Sequence, residues 1–232
     1  MLEQAVFTII LMYLLIVQLF NARLMKPMIE TLGRGRVYEQ TVKSSWGLSL
    51  LLLALVFLFG VPPDMVGLGF APLEGDMSAW KFFFFTTILI SVLLAFYLLV
   101  KTSSRLRRRL RPYYELEIER LLLPRTDIEA KAWSAVSWTA GVTEEFIFRG
   151  VLLYTVSLYL DVSSLTLAFI GGALFGLAHA YQGVRGVLVT GIVGWGLGYL
   201  YLAMGVLWPV MVVHTLLDLI AGPIHVVDSE TD

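Results

Sequence analysis

Residues 186–217 read GVLVTGIVGWGLGYLYLAMGVLWPVMVVHTLL, a run of 32 residues without Asp, Glu, Lys or Arg. A helix needs about 20 apolar residues to cross the hydrocarbon core of a bilayer, so this run is too long for one span. Gly205 and Pro209 interrupt it, and both residue types favour a helix boundary. The run therefore predicts two membrane helices, at about 184–204 and 207–224.

Similar apolar runs continue toward the N-terminus. They predict five more helices, at 4–22, 44–63, 82–100, 132–160 and 162–184. The first run follows an acidic start, Met1 to Gln4, and no cleavage pattern follows it cleanly, so it is expected to be a retained span rather than a signal peptide. The predicted fold class is all-α: a polytopic transmembrane helical bundle of about seven membrane helices.

The composition agrees with a membrane protein. The chain is 58% hydrophobic and 15% charged, whereas soluble domains carry about 25% charged residues. It has no cysteine, which excludes disulfides, a thiolate nucleophile and a cysteine zinc site. The net charge of −1 gives no overall excess of basic residues that would point to nucleic acid. The expected partners are the lipid bilayer and a peptide or protein substrate, with no nucleic acid.

The basic residues predict an orientation. With seven helices, 15 of the 17 Lys and Arg residues fall on one side of the membrane. The segment 64–80 on the other side carries Asp64, Glu74 and Asp76. Because basic loops stay in the cytoplasm, the N-terminus is predicted outside and the C-terminus inside, in the cell membrane.

The basic stretch 103–123 is expected to lie along the membrane surface. Its second half mixes leucine and isoleucine with Glu and Arg, which favours an interfacial amphipathic helix, and Pro112 is expected to separate the halves. An ordinary topology-setting loop is the alternative. The chain is thus divided into 1–131, with three helices and the basic segment, a helical core at 132–224, and a cytoplasmic tail at 225–232 in which His225 is expected to face solvent.

Six ionisable residues lie inside otherwise apolar predicted helices, where a charge costs at least about 2.5–3.5 kcal/mol: Glu144, Glu145, Arg149, His179, His214 and Asp218. Glu145 and Arg149 are four apart and can pair on one helix face, whereas Glu144 is turned by about 100° from Glu145. His214 and Asp218 are also four apart, so the carboxylate can orient the ring or both can ligate a metal.

Together these two histidines and three carboxylates are suited to activating a water molecule for hydrolysis. Other intramembrane hydrolase patterns do not occur. The sequence has no His-Glu-x-x-His, no Gly-x-Ser-x-Gly and no pair of aspartates at membrane depth.

Three motifs carry a family resemblance: Glu144-Glu145-x-x-x-Arg149, Phe175-x-x-x-His179 and His214-x-x-x-Asp218. In this order, over about 130–224, the chain resembles the CAAX-processing and bacteriocin-processing (CPBP, Abi-type) membrane endopeptidases. The resemblance implies an intramembrane peptidase, metallo- or glutamate-dependent, acting on a membrane-associated peptide. A prenylated or otherwise lipid-linked peptide is one such substrate.

The resemblance also implies roles for single residues. Glu144 and His179 would activate the water, and His214 and Asp218 would stabilise the oxyanion or contact a metal. Eukaryotic members of the family carry Asn where this chain has Asp218, and an ionised Asp cannot donate to an oxyanion. This departure favours a candidate zinc site formed by Glu144, His179, His214 and Asp218, with Glu145 and Arg149 holding the helix in register.

Two alternatives stay open at this stage. The first is a non-catalytic scaffold or immunity-type protein that binds peptides with the same fold. The second is a small transporter, because buried acids and histidines also form proton relays.

Overall fold

The computed structural model describes residues 2–70, 77–114 and 117–226, and within these ranges the chain forms helices and short 3₁₀ turns without a β-strand. The all-α polytopic bundle is therefore confirmed. Glu74, Asp76 and Leu116, on which the predicted acidic and amphipathic segments partly rest, lie outside the described residues. So does the predicted tail after Val226.

The first three long helices are α1 (Leu2–Leu32), α2 (Arg34–Leu58) and α3 (Met77–Thr102). The basic segment between the first two predicted spans is helical rather than a loop, because both helices continue beyond their apolar runs. Only Gly33 separates α1 from α2. Its φ of 78° is a left-handed backbone angle that glycine adopts without steric cost, so the break falls there.

The stretch between α3 and the second half of the chain is also helical. It contains α4 (Ser104–Leu110), a 3₁₀ turn (Arg111–Tyr114) and α5 (Glu117–Leu122). Pro112 lies in the turn between the two helices, as predicted, but the basic first half forms a helix of its own. Arg107 in α4 is buried and donates a hydrogen bond of 2.8 Å to the carbonyl oxygen of Lys101, which caps the end of α3.

The second half of the chain is built from long helices. α6 (Asp127–Glu145) continues without a break through a π-helical segment (Phe146–Leu152) into α7 (Leu153–Ser157). The helices α8 (Ser164–Ala178), α9 (Gly183–Met204) and α10 (Trp208–Ala221) follow. Gly205, with a φ of 76°, and Pro209 separate α9 from α10, as predicted.

Five helices of the described chain are long and apolar enough to cross a membrane: Leu2–Phe20, Arg34–Leu58, Met77–Thr102, Ala180–Met204 and Trp208–His225. Two of the seven predicted spans are not both long enough and apolar enough to be counted among these five. The helix over residues 127–157 carries the charged residues of the first motif, and α8 has only 15 residues, which is about 22 Å of helix. Both are helical, and both carry residues of the predicted site.

Close helix crossings hold the second half together. At Gly172 of α8, an added Cβ would lie 2.6 Å from the backbone nitrogen of Trp195 in α9. At Gly141 of α6, it would overlap Thr215 of α10. Because small residues allow helix backbones to approach in a bilayer, these glycines position α6, α8, α9 and α10 around a common centre.

His225 differs from its prediction as a solvent-facing residue of the tail. It is half-buried at the end of a 3₁₀ turn (Gly222–His225), and its Nε2 lies 2.9 Å from the carbonyl oxygen of Tyr114. The bond links the end of α10 to the segment after α4.

Candidate active site

The two adjacent glutamates lie at the end of α6, directly before the π-helical segment. The Glu145 side chain is fully buried, whereas 24% of the Glu144 side chain is exposed. Adjacent residues of a helix point about 100° apart, which accounts for the different surroundings of the two carboxylates. A π-helical segment is frequent at functional sites, and here it begins at Phe146, next to both glutamates.

The buried carboxylate of Glu145 joins two motifs. Its Oε1 atom lies 2.9 Å from Nη1 of Arg149 in an ion pair, as the spacing predicted. The same oxygen lies 2.7 Å from Nδ1 of His214 in α10. Because the carboxylate accepts, Nδ1 of His214 carries the hydrogen, and Nε2 is left on the opposite side of the ring.

Arg149 connects the first motif to α8 and α9. Its guanidinium donates a hydrogen bond of 3.1 Å to the carbonyl oxygen of Gly194. The same group lies over the ring of Phe175, 4.2 Å from the ring centre. Only 2% of its side chain is exposed. A buried guanidinium needs a carboxylate and hydrogen-bond acceptors, and Glu145 and Gly194 supply them.

His179 lies at the C-terminal end of α8, and the helix backbone determines its tautomer. Its Nδ1 atom lies 2.8 Å from the carbonyl oxygen of Phe175 one turn earlier. A carbonyl can only accept, so Nδ1 carries the hydrogen and Nε2 presents a lone pair. That Nε2 atom lies 3.7 Å from Oε2 of Glu144.

His214 and Asp218 complete the cluster from α10. Nε2 of His214 lies 3.9 Å from Oε2 of Glu144 and 3.7 Å from Oδ2 of Asp218. The sequence suggested that Asp218 orients the ring, but the shorter bond comes from Glu145. Asp218 instead faces the same nitrogen as Glu144, with 33% of its side chain exposed.

The spacing of these groups leaves room for a small molecule. One carboxylate oxygen of Glu144 faces the Nε2 atoms of both histidines at 3.7 and 3.9 Å. These separations exceed a direct hydrogen bond, so a water molecule can bridge the groups. Glu144, His179 and Asp218 are each partly exposed, so water can reach the cluster.

The four candidate zinc ligands, Glu144, His179, His214 and Asp218, all belong to this cluster. Among residues 2–70, 77–114 and 117–226, no group of three His, Asp or Glu side chains is placed to hold a metal ion. Tetrahedral zinc ligands at about 2.1 Å from the metal lie about 3.4 Å from one another, slightly closer than the pairs observed. Zinc stays a prediction, and no step of the mechanism below requires it.

All six residues singled out in the sequence are thus brought together from three separate segments, although their roles stay predictions. The bond between Glu145 and His214 was missed, because spacing along the chain shows only contacts within one helix. The ring of Phe175 was quoted as part of a motif, but its contact with Arg149 was not expected. Tyr181, whose ring lies beside that of His179, was not singled out either, since a single tyrosine in an apolar run gives no signal.

The fold and the site define a helical membrane protein with a partly open cluster of carboxylates and histidines. Its similarity to known proteins indicates which family it resembles. Residues 128–220 match the family described as type II CAAX prenyl endopeptidase Rce1-like. This match confirms the family resemblance carried by the three motifs and supports a membrane protease of the CAAX type. No curated protein matches the chain, and no solved structure does.

Proposed function

We propose that this protein is an intramembrane endopeptidase in which Glu144 and His179 activate a water molecule to hydrolyse a peptide bond. The observation that carries the proposal is the position of Glu144 Oε2, which faces Nε2 of His179 at 3.7 Å and Nε2 of His214 at 3.9 Å. Both rings are fixed by their Nδ1 atoms, so both Nε2 atoms face the same small space.

In the proposed reaction, water binds between Glu144 and His179. The lone pair of His179 Nε2 accepts one hydrogen bond from the water, and Glu144 takes the other proton as the oxygen attacks the carbonyl carbon. Glu144 then passes this proton to the leaving amine as the carbon–nitrogen bond breaks. The products are a carboxylic acid terminus and an amine, and the glutamate returns to its starting form.

The remaining residues stabilise charge and hold geometry. The His214 ring lies between the carboxylates of Glu145 and Asp218, which can balance a positive charge on it. In that form its Nε2–H donates to the developing oxyanion, an effect of about 3 kcal/mol for one well-placed donor. Glu145 and Arg149 act at a distance from the substrate, by fixing the ring and joining the helices.

The substrate is proposed to be a membrane-associated peptide, and a prenylated or otherwise lipid-linked C-terminal peptide fits the family best. The N-terminus is proposed outside and the C-terminus in the cytoplasm of the cell membrane. In that orientation His179, at the end of α8, lies toward the cytoplasmic side. A substrate can then approach from the cytoplasm or from the inner leaflet.

Cleavage by purified protein tests the proposal. Farnesylated and unmodified versions of one quenched fluorescent peptide would be incubated with the parent and with Glu144→Gln in detergent. We expect cleavage by the parent and at least a 1,000-fold loss in Glu144→Gln. The matched control is Glu30→Gln, which changes an exposed carboxylate and should leave cleavage unchanged.

Two outcomes would contradict this assignment. Full activity in Glu144→Gln would remove that residue from the reaction. Peptide binding by the parent without cleavage would favour the scaffold or immunity-type alternative.

The candidate zinc site has a separate test. One zinc ion per purified chain, absent from His179→Ala, would support zinc at this cluster. Cleavage that persists without zinc and in the presence of a chelator would overturn it.

A further inference from the structure

Tyr181 and Gln182 follow His179 in the 3₁₀ turn Ala180–Gln182 between α8 and α9. The ring of Tyr181 lies 5.7 Å from the ring of His179, centre to centre. His179 itself lies 3.7 Å from the Glu144 carboxylate, which comes from another helix. The tyrosine therefore borders the cluster described above.

A chain of hydrogen bonds sets the direction of the Tyr181 hydroxyl. Thr190 of α9 donates its hydroxyl to Oε1 of Gln182 over 3.0 Å. The amide nitrogen of Gln182 donates in turn to the oxygen of Tyr181 over 3.2 Å. An amide nitrogen can only donate, so the tyrosine oxygen is the acceptor in this bond and its own hydrogen points elsewhere.

The site needs a donor of this kind. An oxyanion is commonly held by two donors, yet most groups of the cluster accept hydrogen bonds. Nε2 of His179 presents a lone pair, because its Nδ1 hydrogen is bound to the Phe175 carbonyl. In their ionised forms, the carboxylates of Glu144 and Asp218 also only accept. Among Glu144, His179, Asp218 and His214, only His214 can then donate a hydrogen bond, from the ring nitrogen that faces Glu144.

We propose that Tyr181 is a catalytic residue that donates its hydroxyl hydrogen to the developing oxyanion, with Gln182 and Thr190 as positioning residues. This inference rests on the proposed function. As the water oxygen bonds to the carbonyl carbon, the π electrons move onto the carbonyl oxygen, which accepts a hydrogen bond from Tyr181. The tyrosine keeps its proton throughout. Collapse of the intermediate restores the carbonyl and expels the amine, which takes the proton held by Glu144.

Three variants separate a hydrogen-bonding role from a structural one. Tyr181→Phe keeps the ring and removes the donor, so kcat should fall about 100- to 1,000-fold while KM changes less than about threefold. Gln182→Glu supplies a carboxylate that accepts the tyrosine hydrogen and turns it away from substrate, so a comparable fall in kcat is expected. Thr190→Val should give a smaller fall. Tyr199→Phe, at an exposed ring of α9, is the matched control and should match the parent.

A second readout does not depend on turnover. A peptide phosphonate carries a tetrahedral anion like the proposed intermediate, and its affinity for each variant would be measured by calorimetry in detergent. We expect Tyr181→Phe to weaken phosphonate binding at least 10-fold. Binding of the intact peptide would be measured in proteins that also carry Glu144→Gln, so that it is not cleaved. There, Tyr181→Phe should leave the peptide affinity unchanged.

The failures of the two proposals are distinguishable. If the parent binds phosphonate and peptide equally well, the proposed hydrolysis itself is contradicted. If the parent prefers the phosphonate but Tyr181→Phe keeps both that preference and the parent kcat, the role of Tyr181 alone is overturned. If Tyr181→Phe loses thermal stability, the activity of Gln182→Glu decides whether Tyr181 has this role, because that variant retains the tyrosine.

Discussion

Oε1 of Glu145 lies 2.7 Å from Nδ1 of His214, although the two residues are 69 positions apart in the chain. The same oxygen lies 2.9 Å from Nη1 of Arg149. One buried carboxylate oxygen therefore holds the guanidinium of its own helix and the imidazole of α10. This contact joins the first and third motifs and turns the second nitrogen of His214 toward Glu144.

The first prediction concerns this carboxylate. Glu145→Gln leaves Arg149 buried without its counter-charge, and removing one partner of a buried pair typically costs about 3–5 kcal/mol. We expect a large fall in the melting temperature in detergent. The control is Glu39→Gln, whose exposed partner is Lys43 at 2.6 Å, and it should change stability little. Equal melting temperatures for both variants would contradict the structural importance of the buried pair.

The second prediction uses two glycines of the α8 and α9 pair. Ala at Gly172 places a Cβ against backbone atoms of α9, which cannot move as a side chain can. Overpacking of this kind costs about 1–3 kcal/mol, so Gly172→Ala should be less stable. Gly196 has no neighbour within 4 Å of an added Cβ, and Gly196→Ala should be neutral or slightly stabilising. Thermal unfolding should therefore give a lower melting temperature for Gly172→Ala and an equal or slightly higher one for Gly196→Ala. A Gly172→Ala variant as stable as the parent would argue against this close crossing.

The third prediction tests the orientation of the chain. The sequence has no cysteine, so single cysteines can be introduced without removing others. Asp64 and Arg108 are exposed residues at the two predicted sides of the membrane. A membrane-impermeant maleimide should label Asp64→Cys on intact cells and Arg108→Cys only after permeabilisation. The opposite labelling pattern would reverse the proposed orientation.

The fourth prediction concerns Trp133 in α6. Its indole nitrogen donates a hydrogen bond of 2.9 Å to the backbone carbonyl of Asp218, and its ring packs edge-on against Tyr38 of α2. Trp133→Phe removes this hydrogen bond, so we expect a loss of about 1 kcal/mol in stability and a reduced cleavage rate. The matched change at exposed Trp138, Trp138→Phe, should affect neither. An unchanged cleavage rate in Trp133→Phe would show that this bond does not support the position of Asp218.

Much of the helical architecture follows from the sequence alone. Apolar runs of about 20 residues predict helices because the bilayer leaves backbone groups no partner but one another. The boundary near Gly205 and Pro209 follows from local backbone chemistry, and so does the pairing of Glu145 with Arg149 one helical turn apart. The six membrane-depth charges indicate the candidate site because a charge there is costly without a partner.

The tertiary structure alone decided which of these charges meet across different helices. Helical periodicity relates residues within one turn, but it carries no information about which faces of α6, α8 and α10 cross. That is why the bond from Glu145 to His214, the stacking of Arg149 on Phe175 and the place of Tyr181 beside His179 could not be read from spacing. Packing at the crossing glycines sets those faces, and with them the arrangement of Glu144 and the two imidazoles around one small space.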